Sequence, residues 1–301
     1  MPTRLIHTVN SRLAVEHRGA ELFRYVHEPT MPAVECRKPY FHPLRTLAGN
    51  VATIHRPHDH RWHHGLAMTC AELSGQNFWG GPTYTRDKGY QLLDNVGQQK
   101  HEAWLDMQAD GPAIRFAHRV AWITAGGQRW IEEDRAIVLA EVNDAQGFYT
   151  LDIAMSLRNV SDRTLEFGSP TTAGRPNAGY GGLYWRGPRD LEVGGKILAG
   201  GGLQGPDIMG QRATWIALQG GLDGVDTGLT VTMTDHPDNP RHPTQWFTRN
   251  QGLAGFAAAF SFDELLHLPP GDALALRYRL SVIDGLWSRD QLDAHAAAAW
   301  T

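Results

Sequence analysis

Hydrophobic residues recur at every second position through long stretches of this chain, the period of strands that turn one face to a core. Between Phe148 and Leu157, the residues Tyr149, Leu151, Ile153, Met155 and Leu157 share a face. Asn159-Val-Ser-Asp162 supplies turn residues before Thr164-Leu-Glu-Phe167, and the two runs together predict a hairpin. Ile114, Phe116, His118, Val120 and Trp122 alternate likewise, and Ala125-Gly-Gly-Gln128 reverses the chain into Arg129-Trp-Ile-Glu132. Arg12–His17 and Glu21–His27 flank Arg18-Gly-Ala20 as a further hairpin, and Pro269-Pro-Gly271 turns into Leu274, Leu276, Tyr278, Leu280 and Val282.

Helical signals are confined to the C-terminal end. Ser288 with Gln291 three residues on forms a capping-box pattern, and Trp287 and Leu292 sit at the positions of a hydrophobic staple. Many strands, Gly- and Pro-rich turns and one short helix predict an all-β, antiparallel sandwich or barrel. No internal repeat, charge block or linker interrupts the pattern, so a single domain over residues 1–301 is expected.

Composition narrows the function classes. Hydrophobic content of 42% and charged content of 20% are those of an ordinary globular protein, and a net charge of −4 gives no electrostatic footprint for nucleic acid or an anionic membrane. No stretch of about 18 apolar residues is present, so no membrane helix is expected. The start, MPTRLIHTVN, lacks the pattern of a secretion signal, which makes a cytoplasmic location the expectation. Cys36 and Cys70 are too few for a disulfide framework and read as small buried residues. The glycines of residues 174–210 do not form a dinucleotide fingerprint and read as tight turns and close backbone approaches.

The candidate chemistry is concentrated at His55-Arg-Pro-His-Asp-His-Arg-Trp-His-His64, which holds five of the fifteen histidines. Imidazole titrates near neutrality and is the commonest metal ligand, so this cluster points to proton transfer, metal binding or recognition of a polar ligand. In an extended conformation His58, His60, Trp62 and His64 would share one face, with Asp59 and His63 on the other. That alternation offers His58, His60 and His64 as ligands for a divalent metal. Four further segments carry candidate binding residues. Lys38-Pro-Tyr-Phe-His-Pro-Leu-Arg45 is stiffened by two prolines and presents Tyr40, His42 and Arg45. Asn77-Phe-Trp-Gly-Gly81 offers Asn77 and an indole face at Trp79 on which a sugar could stack. Gly179-Tyr-Gly-Gly-Leu-Tyr-Trp-Arg186 offers Tyr180 and Arg186, and the proline-rich run Asp235–Arg249 offers His236, Arg241 and Arg249. A carboxylate pair for glycoside cleavage is not marked by spacing; Glu72, Glu141 and Glu264 stand as unranked candidates.

Lys38-Pro-Tyr-Phe-His-Pro-Leu44, Pro57–Leu66, Asn77-Phe-Trp79, Tyr180–Arg186, Asp235-His-Pro-x-Asn-Pro240 and the closing Phe256–Asp284 block resemble, in that order, the PmoA-like family of uncharacterised bacterial proteins. Its name invokes a membrane-embedded methane monooxygenase subunit, a function that a chain without a membrane helix is not expected to share. The ending Leu268-Pro-Pro-Gly-Asp-Ala-Leu-Ala-Leu-Arg-Tyr-Arg-Leu280 is similar to a late strand of galactose-mutarotase-like proteins, and that resemblance implies an antiparallel β-supersandwich. In mutarotases a histidine and a glutamate exchange protons with the sugar. Here the resemblance gives the histidine's role to His60 or His64 and leaves the glutamate unassigned. Families of this kind accompany sugar-oxidising dehydrogenases, which implies an oxidised or keto sugar.

The expected function is therefore a carbohydrate-active enzyme, an epimerase, lyase or glycoside-cleaving enzyme, with His58, Asp59, His60, His63 and His64 at the catalytic centre and a small-molecule carbohydrate as partner. Two alternatives stand beside it: a metal-dependent hydrolase or lyase with histidine ligands, and a non-catalytic carbohydrate-binding protein. The corresponding cofactor expectation is none, or a divalent metal.

Overall fold

The computed structural model describes residues 3–109 and 114–300. Two eight-stranded sheets dominate it. The first runs in the order Arg4–Thr8, Arg12–His17, Ala20–Val26, Tyr40–Leu44, Leu66–Cys70, Gly181–Arg186, Gly255–Ala258 and Trp246–Arg249. The second runs Lys196–Ala199, Trp215–Gly221, Gly228–Asp235, Ala273–Asp284, Phe148–Asn159, Arg129–Asn143, Ile114–Ile123 and Gln98–Gln108. Neighbouring strands in both are antiparallel. A three-stranded sheet (Leu266–Leu268, Leu165–Gly168, Glu72–Leu73) and the hairpin Thr83–Thr85/Gly89–Gln91 complete the strands.

Alternation along each strand fixes how the large sheets meet. Leu13, Val15, Phe23, Phe41, Leu66, Met68, Trp185 and Phe256 of the first sheet share one buried core with Phe116, Val120, Trp122, Leu151, Ile153 and Leu280 of the second. Rings touch across the interface, Tyr25 against Phe116 at 5.3 Å between centroids and Phe23 over Tyr149 at 6.2 Å. The two sheets thus form a sandwich, in which each fully buried large side chain contributes roughly 1.5–3 kcal/mol.

Local turn chemistry accounts for the elements that the alternation predicts. Strands Arg12–His17 and Ala20–Val26 are joined by Arg18 and Gly19, both left-handed at φ 52° and 86°, the two-residue turn whose twist matches that of paired strands. The C-terminal helix spans Arg289–Ala297 behind the predicted capping box, with Gln291 N–H donating to Ser288 Oγ at 3.3 Å and Ser288 N–H to Gln291 Oε1 at 2.9 Å. Leu292 anchors that helix against Trp215.

One predicted hairpin does not form. Leu165–Gly168 pairs with Leu266–Leu268 and Glu72–Leu73 rather than with Phe148–Asn159, whose two edges are taken by Arg129–Asn143 and Ala273–Asp284. Asn159 is the reason: its buried Nδ2 donates to the carbonyls of Arg163 and Leu268, each at 2.8 Å, and pins the turn away from its own strand. No helix among the described residues is long and apolar enough to cross a membrane.

The outer face of the first sheet is also covered. Gly181–Arg186 is buried at every position. Leu183 and Trp185 point into the sandwich, while Tyr184 lies on the opposite face with Phe247, Ala257, Trp79 and Phe262 in a second apolar cluster. A β-strand buried on both faces needs a second layer. Here loops supply it, and the loops are those that carry the histidines.

Candidate functional site

The histidine-rich segment does not run extended. Pro57 opens a turn closed by His60 N–H on the Pro57 carbonyl at 3.0 Å, and a second turn follows with His63 N–H on the His60 carbonyl at 2.9 Å. His64 then pairs with His55 as an isolated antiparallel bridge. Two successive turns replace the expected alternation, and the histidines part company. His60 and His63 stack with ring centroids 4.8 Å apart. His64 is buried elsewhere, its Nε2 3.1 Å from the Arg61 carbonyl and its ring against Tyr40 and His55. His58 and Asp59 face outward to Arg189, which donates to Asp59 Oδ1 at 2.7 Å.

His60 and His63 open into a cavity of about 470 Å³ on the outer face of the first sheet. Trp62, Trp79, Tyr90, Tyr180, Tyr184 and Phe247 form its walls, and Arg175 and Arg249 stand among its lining residues. The aromatic rings are interlocked: Trp79 lies 4.6 Å from Tyr180, 4.7 Å from Tyr184 and 5.3 Å from His63. Arg175 donates to Tyr90 Oη, which is 2.9 Å from Tyr180 Oη. Arg249 is exposed and sits over the Phe247 ring at 5.7 Å. No Asp or Glu lines this cavity among the described residues.

The electrostatics keep His63 neutral. Burial, reinforced by His60, Arg186 and Lys38, pushes its imidazole well below the usual range. Tyr184 Oη lies 3.4 Å from His63 Nδ1, and burial raises the Tyr184 phenol above its ordinary value, so it stays protonated. Asp59 Oδ2 stands 3.4 Å from His60 Nδ1, which places a carboxylate behind the more exposed imidazole. Partial burial works against that carboxylate, but its own backbone N–H, Arg189 and His60 outweigh it and hold it below the ordinary value.

Of the candidate binding residues, Trp79, Tyr180 and Arg249 line the cavity with the two histidines. The others lie elsewhere. Tyr40 stacks on His55 at 4.9 Å, and His42, also stacked on His55, meets Thr53 Oγ1 through Nδ1 at 2.9 Å. Arg45 donates to the Gly49 carbonyl. Arg186 is fully buried beside the site, with Nη1 donating to the carbonyls of Gly187 and Ala254 and Nη2 to Glu192. Arg241 ties down the carbonyls of Phe260, Glu264 and Leu265, and His236 accepts the Asp238 N–H and packs on Trp300. Glu72, Glu141 and Glu264 are absent from the cavity wall. The metal triad His58, His60 and His64 does not converge. Among the described residues one set of three potential ligands has its atoms within 4.8 Å of one another, and it is a different set.

Asn77 builds the wall instead of reaching a ligand. Its Oδ1 accepts from Trp79 N–H and Gly80 N–H, both at 2.8 Å, and its Nδ2 donates to the Gly81 carbonyl and Thr83 Oγ1. The adjoining glycines make room for Trp62 rather than baring Trp79: a Cβ on Gly81, at φ 66°, would stand 2.5 Å from the Trp62 ring. Lys38, which the sequence did not single out, is buried and donates to the carbonyls of Trp79 at 2.8 Å, Glu35 at 3.3 Å, Trp62 at 3.3 Å and Cys36 at 3.4 Å. It ties together the loops that carry the two tryptophans. Tyr184 was detectable as an aromatic at alternate spacing in a Gly-rich strand. Tyr90 and Arg175 carried no local signal.

Comparison with known proteins adds little to this geometry. No protein with a curated function matches. The crystal structure of Slr1438 from Synechocystis sp. PCC 6803 aligns over 94% of this chain and 96% of its own, at 12% identity and a TM-score of 0.39. Neither the PmoA-like nor the galactose-mutarotase-like name is carried by these matches. Residues 12–297 match the model of a family of unknown function, DUF6807, and the chain belongs to that family.

Proposed function

We propose that this protein is an enzyme that moves a proton on an acidic, oxidised sugar, by epimerisation or elimination at the carbon next to a carboxylate or carbonyl. The lining of the cavity carries the reading: aromatic faces for the ring, two guanidiniums for an anion, a stacked pair of imidazoles and, among the described residues, no carboxylate. Arg175 and Arg249 hold the substrate carboxylate, which lowers the cost of forming an anion on the adjacent carbon. His60 takes the proton. The His60 imidazolium returns that proton to the departing oxygen in elimination, or water reprotonates the opposite face in epimerisation. His63, neutral and 3.4 Å from Tyr184 Oη, donates a hydrogen bond to the developing anion. Trp79, Tyr180 and Phe247 pack against the sugar's C–H face. Hydrolysis by paired carboxylates has no support from this wall, since neither acid nor base carboxyl lines it among the described residues. The supersandwich resemblance of the closing strand agrees with a sugar substrate, and the proposal does not rest on it.

The test is proton exchange. The protein is incubated in D₂O with a panel of uronates, aldonates and keto sugars, and deuterium at the carbon next to the carboxyl is followed by NMR. Exchange or product is expected for at least one acid. His60→Ala should reduce it by roughly 10²–10⁴-fold while leaving the fold intact. Arg249→Ala should weaken binding of that acid by about tenfold or more. A panel that binds without exchange or product, equally well to His60→Ala, would replace the enzyme with a binding protein.

A further inference from the structure

We infer a second, independent site: a divalent transition-metal centre formed by His27, Glu28 and His101. It lies at the opposite edge of the first sheet from the aromatic cavity, in a cleft of about 510 Å³ between the strands Arg4–Thr8 and Gln98–Gln108. One ligand atom of each residue falls within 4.8 Å of the other two. Atoms bound at about 2.1 Å to one ion stand roughly 3.4 Å apart in a tetrahedral arrangement, so side-chain shifts of about an ångström close the set.

One observation points to a missing ligand, and two more show that the groups around it are held in place. His27 is 1% exposed, and neither of its ring nitrogens has a hydrogen-bond partner. A buried imidazole with both nitrogens unpaired is costly and calls for an explanation. His101 is held from behind. Its Nδ1 is 2.9 Å from Nδ1 of buried His118, whose Nε2 is 2.7 Å from Tyr25 Oη, which in turn accepts from Arg135 at 3.2 Å. Fixing one ring nitrogen this way orients the other, as the outer partners of metal-bound histidines do. The backbone is also set, because His27 N–H and Glu28 N–H both donate to the Ser11 carbonyl, at 3.0 and 3.2 Å. Glu28 Oε1 then stands 3.7 Å from His27 Nδ1.

Two imidazoles and a carboxylate are a donor set for zinc and its first-row neighbours, and three protein ligands leave a coordination position open to the cleft. Glu28 and Glu102 balance Arg37 and Lys100 on the cleft wall, so a dication enters a lining without net charge of its own.

The full chain, with any tag removed, is stripped with EDTA and titrated with Zn²⁺ by calorimetry and with Co²⁺ by visible absorption. One ion per chain is expected. Affinity should fall at least 100-fold in His27→Ala and about tenfold or more in Glu28→Gln, and should not change in His60→Ala, which removes an imidazole of the histidine-rich loop. Circular dichroism establishes that each variant is folded. Glu28 is exposed, so Glu28→Gln keeps the test open if His27→Ala fails to fold. No saturable binding by the unmodified chain, binding untouched by Glu28→Gln and His27→Ala, or binding lost in His60→Ala would each overturn the assignment.

Discussion

Replacing Lys38 by Met tests whether one buried ammonium organises the candidate site. The stem volume is kept and the charge is removed. In the native protein three N–H donors serve four carbonyls at 2.8–3.4 Å, two of them from Trp62 and Trp79. Charge-assisted hydrogen bonds contribute about 1.5–3 kcal/mol each. Against this stands the desolvation of the ammonium, which burial reveals by pulling the Lys38 pKa down and which the substitution relieves. The carbonyls are left without their donor at about 1–3 kcal/mol per group that water cannot reach. The balance is a loss of roughly 2–4 kcal/mol. At about 2 °C per kcal/mol for a chain of this size, Tm should fall by roughly 4–8 °C. Urea unfolding should show a lower midpoint at unchanged slope. Tryptophan emission should move to longer wavelength, because the loops of Trp62 and Trp79 lose their common anchor. A variant with the midpoint and emission of the unmodified protein would refute the argument, and Lys38 would then be a passenger of the loop.

Two further outcomes follow from buried polar groups. Burial, with smaller contributions from neighbouring charges, lowers His42 and His55 from 6.5 to about 4. The unfolded chain therefore binds more protons below pH 6.5. Their stabilisation is complete above that value and is lost as pH falls toward 4. At pH 5 the cost is about 2 kcal/mol each, halved for partial exposure to roughly 2 kcal/mol for the pair, and urea midpoints that coincide at pH 7 and pH 5 would contradict it. Asn77→Ala removes four hydrogen bonds from a buried turn and should destabilise by roughly 2–4 kcal/mol in the same urea assay. A loss below about 0.5 kcal/mol would mean that the turn holds its shape without the clamp.

How much of this could be read from the sequence depended on how local the cause was. The hairpin at Arg18-Gly19 and the helix behind Ser288 are specified by residues within a turn of one another, and both form as the pattern predicts. The strand after Asn159 went elsewhere because its partners lie about a hundred residues away, at Leu266–Leu268 and Glu72–Leu73. The concentration of imidazoles marked the histidine-rich segment as notable, but period two gave the wrong faces, since the turns after Pro57 and His60 break the alternation. Arg186 and Arg241 carried the right chemistry for an anion, yet backbone carbonyls that no spacing rule reveals had already claimed them. His27 and His101 show the same limit from the other side. They are 74 positions apart, and only the packing of the two sheets, which lays the end of Ala20–Val26 beside the edge strand Gln98–Gln108, brings them together.

The cavity lining and the chain as a whole have opposite charge. The protein carries a formal −4, while the described residues that line the aromatic cavity include two guanidiniums and no carboxylate. At physiological salt, fields from distant acidic groups fade over about 8 Å, so a solute nearing the mouth meets the arginines rather than the average. Selection then begins during diffusional encounter. An anion is drawn in faster than an uncharged molecule of the same shape, and added salt slows the anion alone. For the proposed acidic substrate, discrimination by charge is then a matter of arrival rate, made before any ring has touched Trp79.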